Sequence, residues 1–325
     1  MQNSILITGH NGEIGRETLL SLSKNETHII ALDINDSEIH YDNVTYIKDN
    51  ILNQKVITNI FQEHNIIEVY HFAALLSQSA NKNPDLANEV NEQGSKLIIN
   101  TAMISGLKNK SKVKIFFPSS IAVYGPRKLK NARETDIIKP ETIYGRNKLA
   151  IEQFGTKQHE KSIREGYGID FRCLRFPGII SPYTIPTGGT TDFAPQMLHA
   201  AENNERFTCK VIPTTTLPFL GIKGAINAIL KIMYPKKIDS NLRSFNVQEM
   251  SLNPTQIIHE LKKIFPKFEI DFNKDDNFQS IADTWPESLN CGEARIKWGF
   301  QNNLNEKEIF EQYLIPEVKK HYAKN

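Results

Sequence analysis

Ser4-Ile5-Leu6-Ile7-Thr8-Gly9-His10-Asn11-Gly12-Glu13-Ile14-Gly15 is the stretch whose reading decides the fold. Its first five residues are a short apolar run of β type, and residues 14–22 continue as a helix. Strand, tight glycine turn and helix in that order form the context of a dinucleotide-binding motif. Gly9 permits the turn, Gly12 lets the backbone approach phosphates, and Gly15 allows the helix to pack closely on the strand. The unpaired N–H groups at the start of the helix then face the anion. Gly9, Asn11, Gly12, Glu13, Ile14 and Gly15 are the candidate phosphate contacts.

The next strand, residues 28–32, ends at Asp33. A carboxylate at that place accepts hydrogen bonds from adenosine ribose hydroxyls and repels a 2′-phosphate. No Arg follows it in Ile34-Asn35-Asp36, so the cofactor expected is NAD rather than NADP. Further strands are expected at 44–48, 69–72, 113–117 and 170–176, and helices at 54–64, 84–105 and 144–167. Such alternation gives a parallel sheet with helices on both faces. Gly94 sits inside the second of those helices at a cost of about 1 kcal/mol relative to Ala. Close backbone packing near the cofactor, or a simple kink, accounts for it equally. Ala73-Ala74 follow the fourth strand, at the carboxyl edge of the sheet where a dinucleotide lies.

After residue 176 the texture changes. Residues 177–191 are rich in Pro, Gly, Ser and Thr and read as a shaped loop. Helices are expected at 193–203, 221–233 and 254–264, the last capped by Asn253. Extended segments are expected within 208–216 and at 244–247 and 268–272. Residues 305–322 read as one closing amphipathic helix. The fold class is therefore α/β: a Rossmann-type doubly wound parallel sheet over residues 1–176, with a smaller C-terminal substrate lobe over 177–325. Parts of that lobe return to the first domain.

Tyr144 and Lys148 lie one turn apart on the same face of a helix. An isolated phenol titrates near ~10 and is a poor base at neutral pH. A lysine ammonium at ~4 Å, with an effective dielectric of ~20, stabilises the phenolate by ~4 kcal/mol, or ~3 pKa units. The phenol becomes fit for general base work on an alcohol. Ser120, just past the fifth strand, is placed to donate a hydrogen bond to the substrate oxygen, with Ser119 beside it. Phosphate turn and base together describe hydride transfer to or from a nicotinamide.

Composition narrows the alternatives. At 325 residues, 39% hydrophobic and 23% charged, the chain is long enough for one large α/β domain and a second lobe. The formal net charge of +2 is too balanced for a nucleic-acid binder. Lys108, Lys110, Lys112 and Lys114 read as a solvated loop. No apolar run is long enough for a membrane span. The first strand begins by Ser4, leaving no room for a leader, so a cytoplasmic protein is expected. Cys173, Cys209 and Cys291 are scattered and odd in number, and imply no disulfide framework. The nine histidines show no metal-ligand spacing, so no metal is expected.

Three longer strings carry a resemblance. One runs from Phe116 through Ser119-Ser120 to Tyr124-Gly125-Pro126. A second is Leu174-Arg175-Phe176-Pro177-Gly178-Ile179-Ile180-Ser181, followed by Gly188-Gly189-Thr190-Thr191-Asp192. The third is Ile281-Ala282-Asp283-Thr284-Trp285-Pro286-Glu287-Ser288, leading to Trp298-Gly299-Phe300. With the glycine turn, Asp33, Ser120 and the Tyr144/Lys148 pair, they resemble the short-chain-type L-threonine 3-dehydrogenases. That family lies within the extended short-chain dehydrogenase/reductase superfamily and is similar in build to UDP-galactose 4-epimerase.

The resemblance implies oxidation of L-threonine by NAD to 2-amino-3-ketobutyrate, on the way to glycine. Tyr144 is then the base. Lys148 holds the nicotinamide ribose and lowers the phenol pKa, and Ser120 positions the hydroxyl. Ser77, Ser119, Gly189, Thr190 and Thr191 match positions that surround the amino acid, and Ile179 matches a backbone contact to the cofactor. Asn50-Ile51 stand where relatives usually carry an acidic residue against adenine, and Asn35 where they often carry Arg. Phe176 replaces the more common Tyr. A homodimer through the helix of Tyr144 and its neighbour follows by the same analogy.

Two rivals differ in what they require. A sugar-nucleotide epimerase or dehydratase needs cations for a diphosphate, and residues 181–220 offer only Arg206 and Lys210. A non-catalytic dinucleotide sensor does not need the tyrosine and lysine, and both are present.

Overall fold

The computed structural model describes residues 2–125, 129–186, 189–302 and 304–323. Pro126 and Gly188 of the quoted strings lie outside the described residues. The chain divides into two compact units. The first comprises Met1–Ser119, Thr142–Leu174 and Ile232–Ser244; the second comprises Ser120–Glu141, Arg175–Lys231 and Phe245–Asn325.

The first part of the chain alternates strand and helix: β1 (Asn3–Thr8), α1 (Glu13–Leu22), β2 (His28–Asp33), β3 (Val44–Lys48), α2 (Gln54–Glu63) and β4 (Asn65–His71). Then come α3 (Ser77–Lys82), α4 (Pro84–Ala87), a π-helical segment (Asn88–Gly94), α5 (Ser95–Lys108), β5 (Lys112–Ser120), α6 (Ile143–Glu165) and β6 (Gly168–Phe176). The remainder holds β7 (Gly178–Ile180), α7 (Phe193–Glu202), β8 (Phe207–Cys209), β9 (Leu217–Gly221), α8 (Ile222–Met233), β10 (Ser244–Asn246) and β11 (Met250–Leu252). It closes with α9 (Pro254–Lys262), β12 (Ile270–Phe272), α10 (Asp276–Ala282), α11 (Gly292–Trp298), α12 (Glu306–Ile309), a second π-helical segment (Phe310–Leu314) and α13 (Ile315–Ala323).

Seven strands form one sheet in the order β10-β6-β5-β4-β1-β2-β3. The pairs β4/β5, β4/β1, β1/β2 and β2/β3 run parallel. All nine residues of β6 are buried, and its Asp170 is tolerated there because the Arg172 and Arg243 guanidinium groups pair with it. Leu6, Ile30, Val69, Ile115 and Phe171 from the sheet join Ile57, Ile98 and Ile151 from the helices in one core. The doubly wound α/β fold expected from the sequence is the fold observed.

Several local expectations need correction. β4 begins at Asn65, four residues before the apolar run at 69–72. Glu68 can sit in the strand because Lys114 Nζ (3.2 Å) and the Tyr70 hydroxyl (2.9 Å) both donate to it. Lys114 is accordingly part of β5 rather than of a solvated loop, and also donates to the Met233 carbonyl at 2.8 Å. The single helix expected at 84–105 is broken by the π-helical segment. Gly94 ends that segment, and a Cβ there would come 2.7 Å from Ile51 Cδ1, so the glycine sits both at the break and against a packed side chain. The closing helix is interrupted in the same way. Residues 177–191 contain a strand, β7, which pairs with β9 in a three-stranded sheet. Three residues including a glycine give too short a pattern to register. Asn253 caps α9 as expected, in a reciprocal box with Gln256.

Candidate active site

Within the first unit the glycine turn leaves no room for a side chain at Gly9 or Gly15. Gly9 has φ +72°, and a Cβ there would lie 2.5 Å from the Ala73 nitrogen. A Cβ on Gly15 would lie 2.2 Å from the Gly9 carbonyl oxygen. Gly12 is the N-cap of α1 and supplies no side-chain acceptor to the first turn. An uncapped helix start with its dipole favours an anion.

Asp33 is fixed beside the turn. One carboxylate oxygen accepts from the Asn11 backbone N–H and the other from that of Asn35, both at 3.0 Å. The Asn11 amide donates to the Asn35 and Asp36 carbonyls, at 3.0 and 3.1 Å. Its side chain therefore stitches the turn to the loop after β2. A cavity of about 340 Å³ runs along that loop, lined by His10, Asn11, Arg16, Leu19, Asn35 and Tyr41 among others. A forbidden Cβ, an uncapped helix and a fixed carboxylate that can still accept from hydroxyls fit a dinucleotide.

Tyr144 stands in the first turn of α6, whose N-cap Thr142 accepts from the Gly145 N–H at 3.0 Å. Lys148, one turn on, is buried. Its ammonium donates to the Pro118 carbonyl at 2.7 Å and lies 4.7 Å from the Phe117 ring centre and 5.4 Å from that of Tyr144. Burial pulls its pKa down to about 8, with Cys173 and Glu152 opposing. It still carries its charge at neutral pH. Ser119 is also buried, and its hydroxyl has no hydrogen-bond partner within the protein. A buried hydroxyl without a partner is costly unless something else pairs with it.

In the second unit, the Ser120 hydroxyl accepts from the Ala122 N–H at 3.2 Å, opening a 3₁₀ turn over Ile121–Val123. The Arg175 guanidinium donates to the Tyr124 hydroxyl at 2.9 Å, and that hydroxyl donates to Asn246 at 2.8 Å. Ile179 is half-buried in the middle of β7. Thr190 is buried, Thr191 packs against Gly178, and the Gly189 N–H donates to the Asp192 carboxylate at 2.5 Å.

Comparison with known proteins matches residues 5–247 to the NAD dependent epimerase/dehydratase family. The chain belongs to that family. It is 34% identical over 312 residues to the mitochondrial L-threonine 3-dehydrogenase of Bos taurus, covering 95% of this chain and 81% of the relative. The structure of L-threonine dehydrogenase from Clostridium difficile superposes with TM-score 0.88 at 29% identity, covering 98% of each chain. A structure described as a monomeric L-threonine 3-dehydrogenase from a metagenome gives TM-score 0.85 at 32% identity, covering 97% of this chain and 99% of that one.

In this member of the epimerase/dehydratase family, the first unit brings the glycine turn, Asp33 and Ala73 together, and separately pairs Tyr144 with Lys148. The half-buried Ser77 begins α3. Ile51 differs from the others: its side chain lies in the hydrophobic core against Gly94, which leaves only its backbone for a ligand. Asn50 is exposed, and its side-chain oxygen accepts from the Leu52 N–H at 2.9 Å. Asn91 was not foreseen. Its carboxamide accepts from the Leu75 N–H at 2.7 Å and donates to the Leu75 carbonyl at 3.0 Å. The π-helical segment that carries it is the kind of irregularity often found at functional sites. Gly94, inside an expected helix, was its one signal in the sequence.

Proposed function

We propose that the protein oxidises L-threonine at its 3-hydroxyl to 2-amino-3-ketobutyrate, with NAD as hydride acceptor, in the breakdown of threonine to glycine. Support for the substrate comes from relatives named L-threonine dehydrogenases, matched over nearly the whole chain. The chemistry rests on one observation above all, the buried Lys148 ammonium beneath the Tyr144 ring.

NAD, when bound, supplies the hydride acceptor. Gly9, Asn11, Gly12, Glu13, Ile14 and Gly15 would hold its pyrophosphate, Asp33 its adenosine ribose, and Asn50, Ile51, Ala73 and Ile179 would line it. Tyr144 takes the proton from the threonine hydroxyl as the C3–H bond breaks. Lys148, whose ammonium lies 5.4 Å from the centre of the Tyr144 ring, keeps the phenolate within reach at neutral pH through its charge. Ser120 would donate to the substrate oxygen, and Ser119 offers a hydroxyl that has no partner in the protein. Ser77, Gly189, Thr190 and Thr191 are assigned to the amino acid's charged groups. Threonine is a zwitterion, so hydroxyls and backbone N–H groups suffice without a strongly charged pocket.

The first unit is read as the NAD-binding domain and the second as the substrate lobe. Ile104 and Ile163 expose apolar side chains on α5 and α6, which supports a homodimer through those helices. Cys173, Cys209 and Cys291 are buried as thiols, which suits a reducing compartment, and the cytoplasm is the one proposed. No helix among the described residues is long and apolar enough to cross a membrane.

The test is absorbance at the NADH band with NAD and a panel of hydroxy amino acids and UDP-sugars. NADH formation with L-threonine is expected. Epimerisation of a UDP-sugar without net NADH would replace this reading with the sugar-nucleotide one.

A further inference from the structure

Thr8, His71 and Ser95 lie in the interior of the first unit and form a hydrogen-bond chain whose direction is fixed. Ser95 Oγ is 2.7 Å from the Asn91 carbonyl, which can only accept, so the one hydroxyl proton of Ser95 is committed there. Ser95 Oγ must therefore accept from His71 Nε2, 2.8 Å away, and Nε2 carries the ring proton. His71 Nδ1 then accepts from the Thr8 hydroxyl at 2.6 Å. Thr8 Oγ1 in turn accepts from the Ala73 N–H at 3.4 Å.

Both ends of this chain reach one short segment. Thr8 holds Ala73, and Asn91, whose carbonyl ends the chain, clamps both backbone groups of Leu75. Ala73 is also the residue that leaves no room for a Cβ on Gly9. Residues 73–75 are thus fixed at both ends against the glycine turn.

Neutral imidazole suits this place. His71 is buried, and burial with the nearby Lys148 charge pushes its pKa down to about 3. Phe117 is shared between the two: the His71 ring stacks on it at 6.2 Å, and Lys148 Nζ lies 4.7 Å from its centre. A second cation there is strongly disfavoured, so the polarity of the chain is stable across the working pH range.

We propose that His71 is a positioning residue for the dinucleotide. Its neutral, Nε2-protonated ring relays the chain from Ala73 through Thr8 to Ser95 and Asn91, and so seats residues 73–75 against the phosphate turn. This rests on the NAD reading above and extends it to a residue outside the ligand contacts named there.

The experiment is calorimetric titration of the full chain with NAD alone, which needs no second substrate. Thr8→Val removes the donor to Nδ1 with little change of shape and should weaken NAD binding about tenfold. Thr8→Ser keeps the hydroxyl and should bind within about twofold of the wild type. His71 itself should add no pH dependence to wild-type affinity between pH 5 and 8, since it does not titrate there. A role confined to stability would lower the melting temperature of Thr8→Val but leave the affinity of the folded protein intact. NAD affinity of Thr8→Val within twofold of wild type overturns the proposal, as does equal weakening in Thr8→Ser. Should Thr8→Val not fold, Ser95→Ala carries the same expectation and the same overturning result. If the wild type binds NAD but gives no NADH with L-threonine, the substrate reading fails while the affinity ratios still decide the role of His71.

Discussion

The Lys148 ammonium approaches Tyr144 from inside the protein, 5.4 Å from the centre of its ring, anchored on the Pro118 carbonyl. The same burial that makes its charge effective also makes that charge costly to keep. Burial pulls the Lys148 pKa down to about 8, from an ordinary lysine value of 10.5. The pair therefore trades stability for a usable phenolate.

Tyr144→Phe tests the base. It removes the phenol oxygen and leaves the glycine turn untouched, so kcat should fall by about 100-fold or more while NAD affinity stays nearly intact. Steady-state kinetics with a parallel binding titration measures both, and near-normal turnover would refute the assigned role.

Lys148→Met separates activity from stability. Because the folded pKa lies below the unfolded one, the native state holds fewer protons between about pH 8 and 10.5, and stability rises with pH across that window. Below pH 8 the charged lysine costs the fold up to about 3 kcal/mol. Removing it relieves that cost, partly offset by an unpaired Pro118 carbonyl. The variant should melt no lower than the wild type while kcat drops by at least about 100-fold. A melting temperature several degrees lower would show that Lys148 stabilises the fold.

Asp33→Ala should raise the KM for NAD with little effect on kcat at saturation. Both the ribose acceptor and the two bonds that pin Asn11 and Asn35 are lost. Initial rates at varied NAD measure this, and an unchanged KM would remove Asp33 from the cofactor site.

Acid should destabilise the protein through two of its buried histidines. Burial holds His71 at about 3 and His159 at about 4 in the fold, against an ordinary value of 6.5. The unfolded chain binds protons that the native state refuses, so stability falls as pH drops below about 6.5. Between pH 7 and pH 5 the two groups together account for about 4 kcal/mol. Urea denaturation at those two pH values checks this; equal stability at both would contradict it.

The fold was largely legible because its decisive signals are local. Gly9, Gly12 and Gly15 follow an apolar strand, Asp33 ends the next, and Tyr144 and Lys148 share a helix face. What escaped depends on partners distant in sequence. Glu68 is tolerated in β4 only because Lys114 reaches it, and Gly94 packs against Ile51, distant from it in sequence. Asn91 reads as an ordinary polar helix residue until the π-helical segment turns it onto Leu75. The three-residue β7 is too short to announce itself, and its pairing with β9 is what makes it a strand.

The most direct measurement uses L-threonine deuterated at C3. Incubated with the full chain and NAD, it should transfer its deuterium, giving reduced cofactor heavier by one mass unit on mass spectrometry. Reduced cofactor without the label, or none at all from a folded protein that binds NAD, would contradict the account.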